Sequence, residues 1–177
     1  LGVAVVGLIA GVARLNAATP LIVLVTPEDP QPVGATFDVL IGIESIDNLG
    51  AWEFDLGYDP AMLTVTGMTL NPAFGVEDNC NAQTQRCALA LGPIVDRAGT
   101  ANLGAVTYGN AAGLSGKGVV AVIHLTATGQ PGETTLTLSN ALVADVNAQA
   151  TTPTVHGGGV ITIREAAHRL FLPSVTR

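Results

Sequence analysis

The chain has 177 residues, a formal net charge of −7 and only 12% charged residues, against roughly 25% in ordinary soluble domains. That length fits one domain, and at 48% hydrophobic the chain can bury a full core, since a domain of about 150 residues hides roughly 70% of the surface of its unfolded form. The basic residues Arg14, Arg86, Arg97, Lys117, Arg164, Arg169 and Arg177 are scattered, which leaves no stripe to displace phosphate counterions and argues against nucleic acid as a partner.

Leu1 to Ala13 is an unbroken run of apolar and glycine residues, closed by Arg14 and followed by Asn16-Ala17-Ala18-Thr19-Pro20. This has the character of a secretory h-region with a passable small-residue cleavage site. The lack of an initiator Met and of a basic n-region points to a longer precursor. Thirteen residues fall short of the roughly 17–25 that span a bilayer. Residues 1–18 are therefore expected to be a signal peptide or, if retained, an apolar segment that anchors or polymerises the protein. The folded domain is expected over residues 19–163.

Strand signals dominate that domain. Leu21–Val25 is a short apolar run. Phe37, Val39, Ile41 and Ile43 then share one parity while Asp38, Gly42 and Glu44 share the other, the period-2 pattern of a half-buried strand. In the next segment Trp52, Phe54, Leu56 and Tyr58 share a face, with Glu53, Asp55 and Gly57 opposite, so the aromatics are predicted to point inward. Tyr58-Asp59-Pro60 turns the chain, because Pro fixes its own φ and Asp supplies a local acceptor, and Leu63 and Val65 resume the alternation. Further strands are predicted at Ala88–Leu91, Ala105–Tyr108, Val119–Ala127, Thr134–Leu138, Leu142–Asp145 and Gly159–Ile163, punctuated by Ser115-Gly116, Gln130-Pro131-Gly132 and Gly157-Gly158-Gly159. No amphipathic helix of normal length interrupts them, and an all-β sandwich follows. The tail, residues 164–177, carries Leu170-Phe171-Leu172-Pro173 between basic residues and is expected to lie outside the core, as a disordered end or a sorting and docking signal.

The block Asn48-Leu49-Gly50-Ala51-Trp52-Glu53-Phe54-Asp55-Leu56-Gly57-Tyr58-Asp59-Pro60-Ala61-Met62-Leu63 resembles the signature of the cohesin family, in which a strand of alternating aromatics ends in Tyr-Asp-Pro and a downstream Leu. Val33 to Phe37, Leu114 to Leu125, Gly132 to Leu142 and Gly159 to Ile163 resemble the family's other strands in the right order. The likeness covers residues 21–163. It implies a nine-stranded jelly-roll sandwich, secreted and non-enzymatic, that binds a dockerin-like protein module or assembles at the cell surface. It also implies a flat partner-binding sheet face, on which Glu53 matches an acidic contact position and Asp55 is its outward neighbour. Ala51 departs from the polar residue that the family places there. The plain alternative is that Glu53 and Asp55 only keep an outer face wet.

Cys80 and Cys87, with six residues between them, lie in a polar stretch, and in an exported protein a disulfide is the natural assignment. A redox role would want Cys-x-x-Cys beside a helix. Trp52, the single Trp, is expected in the core with its indole N–H on a buried acceptor. That leaves Phe74, Tyr108 and Phe171 as the unassigned rings for a sugar platform. His124 is placed on the parity of Val120 and Val122 and read as a structural or surface histidine, since the sequence offers no acid–base partner; His156 lies in a glycine-rich loop. Glu28 and Asp29, Glu77 and Asp78, and Asp145 with Asn147 offer oxygens for weak calcium binding at most, without the alternating spacing of a dedicated loop. No cofactor is expected, and no nucleophile elbow, phosphate loop or dinucleotide fingerprint points to an enzyme.

Three functions stay open: a secreted module that binds a protein partner, either a dockerin-like module or another copy of itself; a subunit of an extracellular fibre or sheath that uses the N-terminal segment; and a carbohydrate-binding module.

Overall fold

A computed structural model describes residues 19–166. The apolar N-terminal stretch, the Leu170–Pro173 motif, His168 and Phe171 lie outside the described residues. Those described form twelve strands and no helix. In chain order they are β1 (Leu21–Val25), β2 (Gln31–Pro32), β3 (Thr36–Gly57), β4 (Leu63–Leu70), β5 (Cys87–Arg97), β6 (Thr100–Tyr108), β7 (Leu114–Ala127), β8 (Gly132–Thr135), β9 (Thr137–Asp145), β10 (Ala150–Thr151), β11 (Thr154–His156) and β12 (Val160–Arg164).

The two alternating segments read from the sequence are one continuous strand of 22 residues, β3. Its first half pairs with β7 and β1, and its second half with β6 and β9. With β4 on β7, β11 on β1, β5 on β6 and β10 on β9, this yields the two layers of a jelly-roll β-sandwich joined through β3. β12, β2 and β8 form a small separate sheet, whose Ile161 and Ile163 enter the same core.

Phe37, Val39, Ile41 and Ile43 are buried on odd positions, whereas Trp52, Phe54 and Leu56 are buried on even ones. A regular strand cannot change the parity of its buried face, because successive side chains alternate strictly. The change is made across successive register slips, of β3 on β7 between Ile43 and Leu49 and of β3 on β9 between Leu49 and Ala51; Leu49, still on an odd position, is fully buried. There Ser45 and Asn48 take positive φ values of 56° and 55°. The Asn48 side chain is used as well: its Oδ1 accepts the Gly113 N–H at 2.7 Å, while its own N–H donates to Ser115 Oγ at 2.8 Å. Asn tolerates this left-handed conformation better than other side chains.

Trp52 is 2% exposed, stacks on Phe54 with ring centroids 5.3 Å apart and meets Phe74 edge-on at 6.3 Å. The inward placement holds, but the acceptor expected for its indole N–H does not exist: among the described residues Nε1 has no hydrogen-bond partner. Packing against two phenyl rings fixes the indole where no acceptor lies. Such an orphan donor costs about 1–3 kcal/mol, comparable with what burying a large apolar side chain contributes.

Tyr58 is half-buried against the core. The turn after it forms as read: Asp59 Oδ1 accepts the Ala61 N–H at 2.9 Å, and the Asp59 carbonyl accepts from Met62 and Leu63. Pro60 is exposed at the turn and Leu63 is buried at the start of β4.

The predicted strand Thr134–Leu138 is corrected. The chain breaks at Leu136, with β8 pairing to β12 and β9 crossing to β3. Leu136 itself is fully buried, and its N–H reaches the Gly159 carbonyl at 3.0 Å. Alternation runs through the break, so the pattern could not show that the partner strand changes.

Two stability effects follow. Asn48→Gly keeps the permitted φ but loses the side-chain acceptor, whereas Asn48→Ala loses both, so the Ala variant should be the less stable by about 1 kcal/mol in denaturant titration. Cys80 and Cys87 are disulfide-bonded with Cα atoms 5.6 Å apart. Replacing both with Ser should cost roughly 2–3 kcal/mol for so short a loop, seen as a fall in Tm of about 4–12 °C.

Candidate partner-binding face

The inward parity of Trp52, Phe54 and Leu56 fixes what the same strand shows to solvent: Ala51, Glu53 and Asp55. Neighbouring strands extend these into cross-strand rows. Leu89, Val106, Ala51 and Ala144 form one row, Leu91, Gly104, Glu53 and Leu142 the next, and Ile94, Asn102, Asp55 and Ser139 a third. The outer surface of β5-β6-β3-β9 is therefore mostly aliphatic at its centre, with Leu89, Leu91 and Ile94 exposed by 56%, 45% and 49%.

Glu53 is exposed within this apolar ground, and no described residue forms an ion pair with it. Gly104 keeps the surface flat beside the carboxylate. A Cβ there would sit 3.0 Å from the Trp52 carbonyl and 3.3 Å from the Glu53 Cβ, so a side chain would crowd the acid. Ala51 lies half-buried between Val106 and Ala144. Where the family resemblance called for a polar residue, this face instead continues its aliphatic row.

Asp55 is held differently. Its Oδ2 accepts the Asn140 amide at 2.7 Å and its Oδ1 the Asn102 amide at 3.1 Å, a clamp across β9, β3 and β6. Asn140 reaches it because β9 carries an irregularity opposite Glu53 and Asp55, with Asn140 at a φ of 53°. The Asn140 hydrogen bond, then that of Asn102, and to a lesser extent the charge of Arg97, hold the Asp55 carboxyl below its ordinary value against a small desolvation effect.

The disulfide ties the loop before β5 to the buried Cys87 at the strand's first residue. Arg86 fastens that loop further, donating from Nε to Thr107 Oγ1 at 2.9 Å and from Nη1 to the Gly109 and Ala111 carbonyls. Phe74 is buried and Tyr108 is 52% exposed, so a sugar platform among the described residues would have this one ring. Both Asp145 oxygens turn back on its own loop, Oδ1 accepting the Asn147 and Gln149 N–H groups at 2.8 and 2.9 Å; the Gln149 bond most strongly lowers its pKa. Among the described residues no three His, Cys, Asp or Glu side chains converge as metal ligands, and no helix is long and apolar enough to cross a membrane.

His124 needs two corrections. It shares the outer face with Val122 but not with Val120, which is fully buried, because β7 gains a residue between the pairs Ile41–Ala121 and Gly42–Val119. It also has partners: Nδ1 lies 2.7 Å from Asp38 Oδ1 and Nε2 lies 2.9 Å from Thr69 Oγ1. Asp38 and His124 face each other across β3 and β7, a pairing over 86 residues that no local pattern encodes. The exposed Leu89 and Leu91 were likewise missed. In Ala88-Leu89-Ala90-Leu91 both parities are apolar, and the small residues, not the large ones, face the core.

Comparison with known proteins adds the family. No curated protein sequence matches the chain. Among solved structures, the solution structure of CaCohA2 from Clostridium acetobutylicum is similar at 20% identity and a TM-score of 0.62, covering 84% of this chain and 93% of that one. The non-cellulosomal cohesin of the hyperthermophilic archaeon Archaeoglobus fulgidus matches at 19% identity and a TM-score of 0.59 over the same shares. The OlpC cohesin of Clostridium thermocellum, solved in a type I cohesin–dockerin complex, matches at 12% and 0.60, over 84% of this chain and 95% of that one. These likenesses show the shared fold. The family model for the cohesin domain matches residues 22–163, from β1 into β12 and across the Trp52–Tyr58 signature, and the chain belongs to the cohesin domain family.

Proposed function

We propose that this protein is a secreted, non-catalytic interaction module whose outer β5-β6-β3-β9 face receives a dockerin-like protein partner. The observation that carries this reading is Glu53, an exposed carboxylate set among Leu91, Leu142, Ala51 and Val106 on a surface flattened by Gly104. Protein interfaces favour an apolar centre that excludes water around a few directional groups, and a contiguous exposed apolar patch on a soluble domain marks an interaction site. A partner suited to this face carries an aliphatic surface and one Lys or Arg for Glu53. Similar cohesins have been solved bound to dockerins, which supports a partner of that kind. Ala51 supports one that makes fewer polar contacts along the row.

A panel of purified dockerin modules titrated against the protein by calorimetry tests this. At least one should bind, Glu53→Lys and Leu91→Asp should each weaken that binding by tenfold or more, and both variants should keep the wild-type melting curve. Absence of binding across the panel, or binding indifferent to both substitutions, would overturn the reading.

Asp55 has a pH consequence that does not depend on the partner. Its folded pKa lies below that of an ordinary aspartate, so its ionised form stabilises the fold above the unfolded pKa, and that stabilisation is lost as pH falls through the folded pKa. Asp55→Asn should therefore lower Tm at pH 7, with the gap to wild type closing as pH drops below about 4. A gap independent of pH would show that the clamp does not need the charge.

A further inference from the structure

The opposite sheet has an outward face of its own. Val23, Gly42 and Val119 make one cross-strand row on β1, β3 and β7, and Val25, Leu40 and Val122 make the next. Val25 is 49% exposed. Gly42 opens a trough between its two valines, where a Cβ would sit 3.7 Å from that of Val23. Packing would thus accept a methyl, and the trough is space left open. At one end stand Glu44 and Lys117, both exposed. They are near each other at the β3–β7 irregularity but are not ion-paired: among the described residues the only pair within 4.0 Å is Asp38 with His124. Lys117 is also the single lysine of the chain.

From these features we infer that this face is a self-association surface whose occupant is a second copy of the chain. A net charge of −7 makes identical molecules repel at a distance, so association needs a local arrangement that reverses the sign. A carboxylate and an ammonium side by side at one end of an apolar trough are such an arrangement. A two-fold axis running between them sets each Glu44 against the partner copy's lysine and each Lys117 against its glutamate, with the valine rows meeting alongside. An isologous interface requires this self-complementarity, whereas a foreign acidic or basic partner would match one of the two charges and oppose the other. The surface lies on the other sheet from Glu53, so the inference stands apart from the proposed partner face, and the two can fail separately.

Sedimentation velocity on the full chain over a concentration series tests it. The wild type should show a concentration-dependent dimer. Glu44→Lys and Lys117→Glu should each weaken it by at least about tenfold, because each sets like charges together twice. Mixing the two variants in equal amounts should restore a 1:1 dimer of near wild-type affinity, since a doubly basic end then meets a doubly acidic one. Val25→Asp should weaken association without touching either charge, and Glu53→Lys should leave it unchanged. All four positions are exposed, where substitutions usually shift stability little, and unchanged melting curves verify folding. The inference is overturned if the wild type stays monomeric throughout, if either single variant dimerises like the wild type, or if the mixture fails to associate. It is equally overturned if association disappears on removing residues 1–18 and ignores the charge reversals, which would assign it to the N-terminal segment.

Discussion

Both layers of the sandwich hang on β3, which gives its first four inward side chains, Phe37 to Ile43, from one layer and Trp52, Phe54 and Leu56 from the other. A single strand can serve two facing sheets only if its buried side changes parity on the way. Two left-handed residues, Ser45 and Asn48, and slipped pairing at three places between Ile43 and Ala51 accomplish that. Without the change, one half of the strand would bury its polar residues and turn its large apolar ones to water, and no common core could form.

The outward chemistry follows from the same constraint. Once Trp52 and Phe54 are committed to the core, Ala51, Glu53 and Asp55 have no other place than the surface, and the register of β6 and β9 decides their company. That company divides the two acids. Asp55 is occupied by Asn102 and Asn140 and serves the sheet itself, while Glu53 is left to solvent among aliphatic neighbours. Two carboxylates on one strand, two residues apart, thus differ in what they are free to do, a difference set by an irregularity in β9.

Much of the fold was legible because alternation is local. The period-2 runs, the Tyr58-Asp59-Pro60 turn and the Cys80–Cys87 spacing each depend on residues close in sequence, and the block from Asn48 to Leu63 pointed to the cohesin family. What escaped depends on distant partners. The joining of two segments into one strand rests on Ser45 and Asn48, whose φ values no hydrophobicity pattern reports. The break at Leu136 rests on which strands β8 and β9 pair with. The aliphatic character of the candidate face escaped because a strand apolar on both parities, such as Ala88 to Leu91, does not disclose which side faces inward. The Asp38–His124 pair and the solitary indole N–H of Trp52 are likewise outcomes of tertiary packing, and the usual expectation that a buried donor finds an acceptor gave way to ring packing.

Arg86 has a bearing on how the molecule meets changing surroundings. Its guanidinium grips Thr107, Gly109 and Ala111, and Thr107 in turn donates to the Gly50 carbonyl at 2.9 Å. The segment ahead of β5 is thereby moored at a second, non-covalent point that no thiol reagent can cut. Breaking the sulfur bridge would loosen the segment's far end while its root stays fast. The aliphatic rows beyond it would then keep their shape in oxidising and reducing media alike.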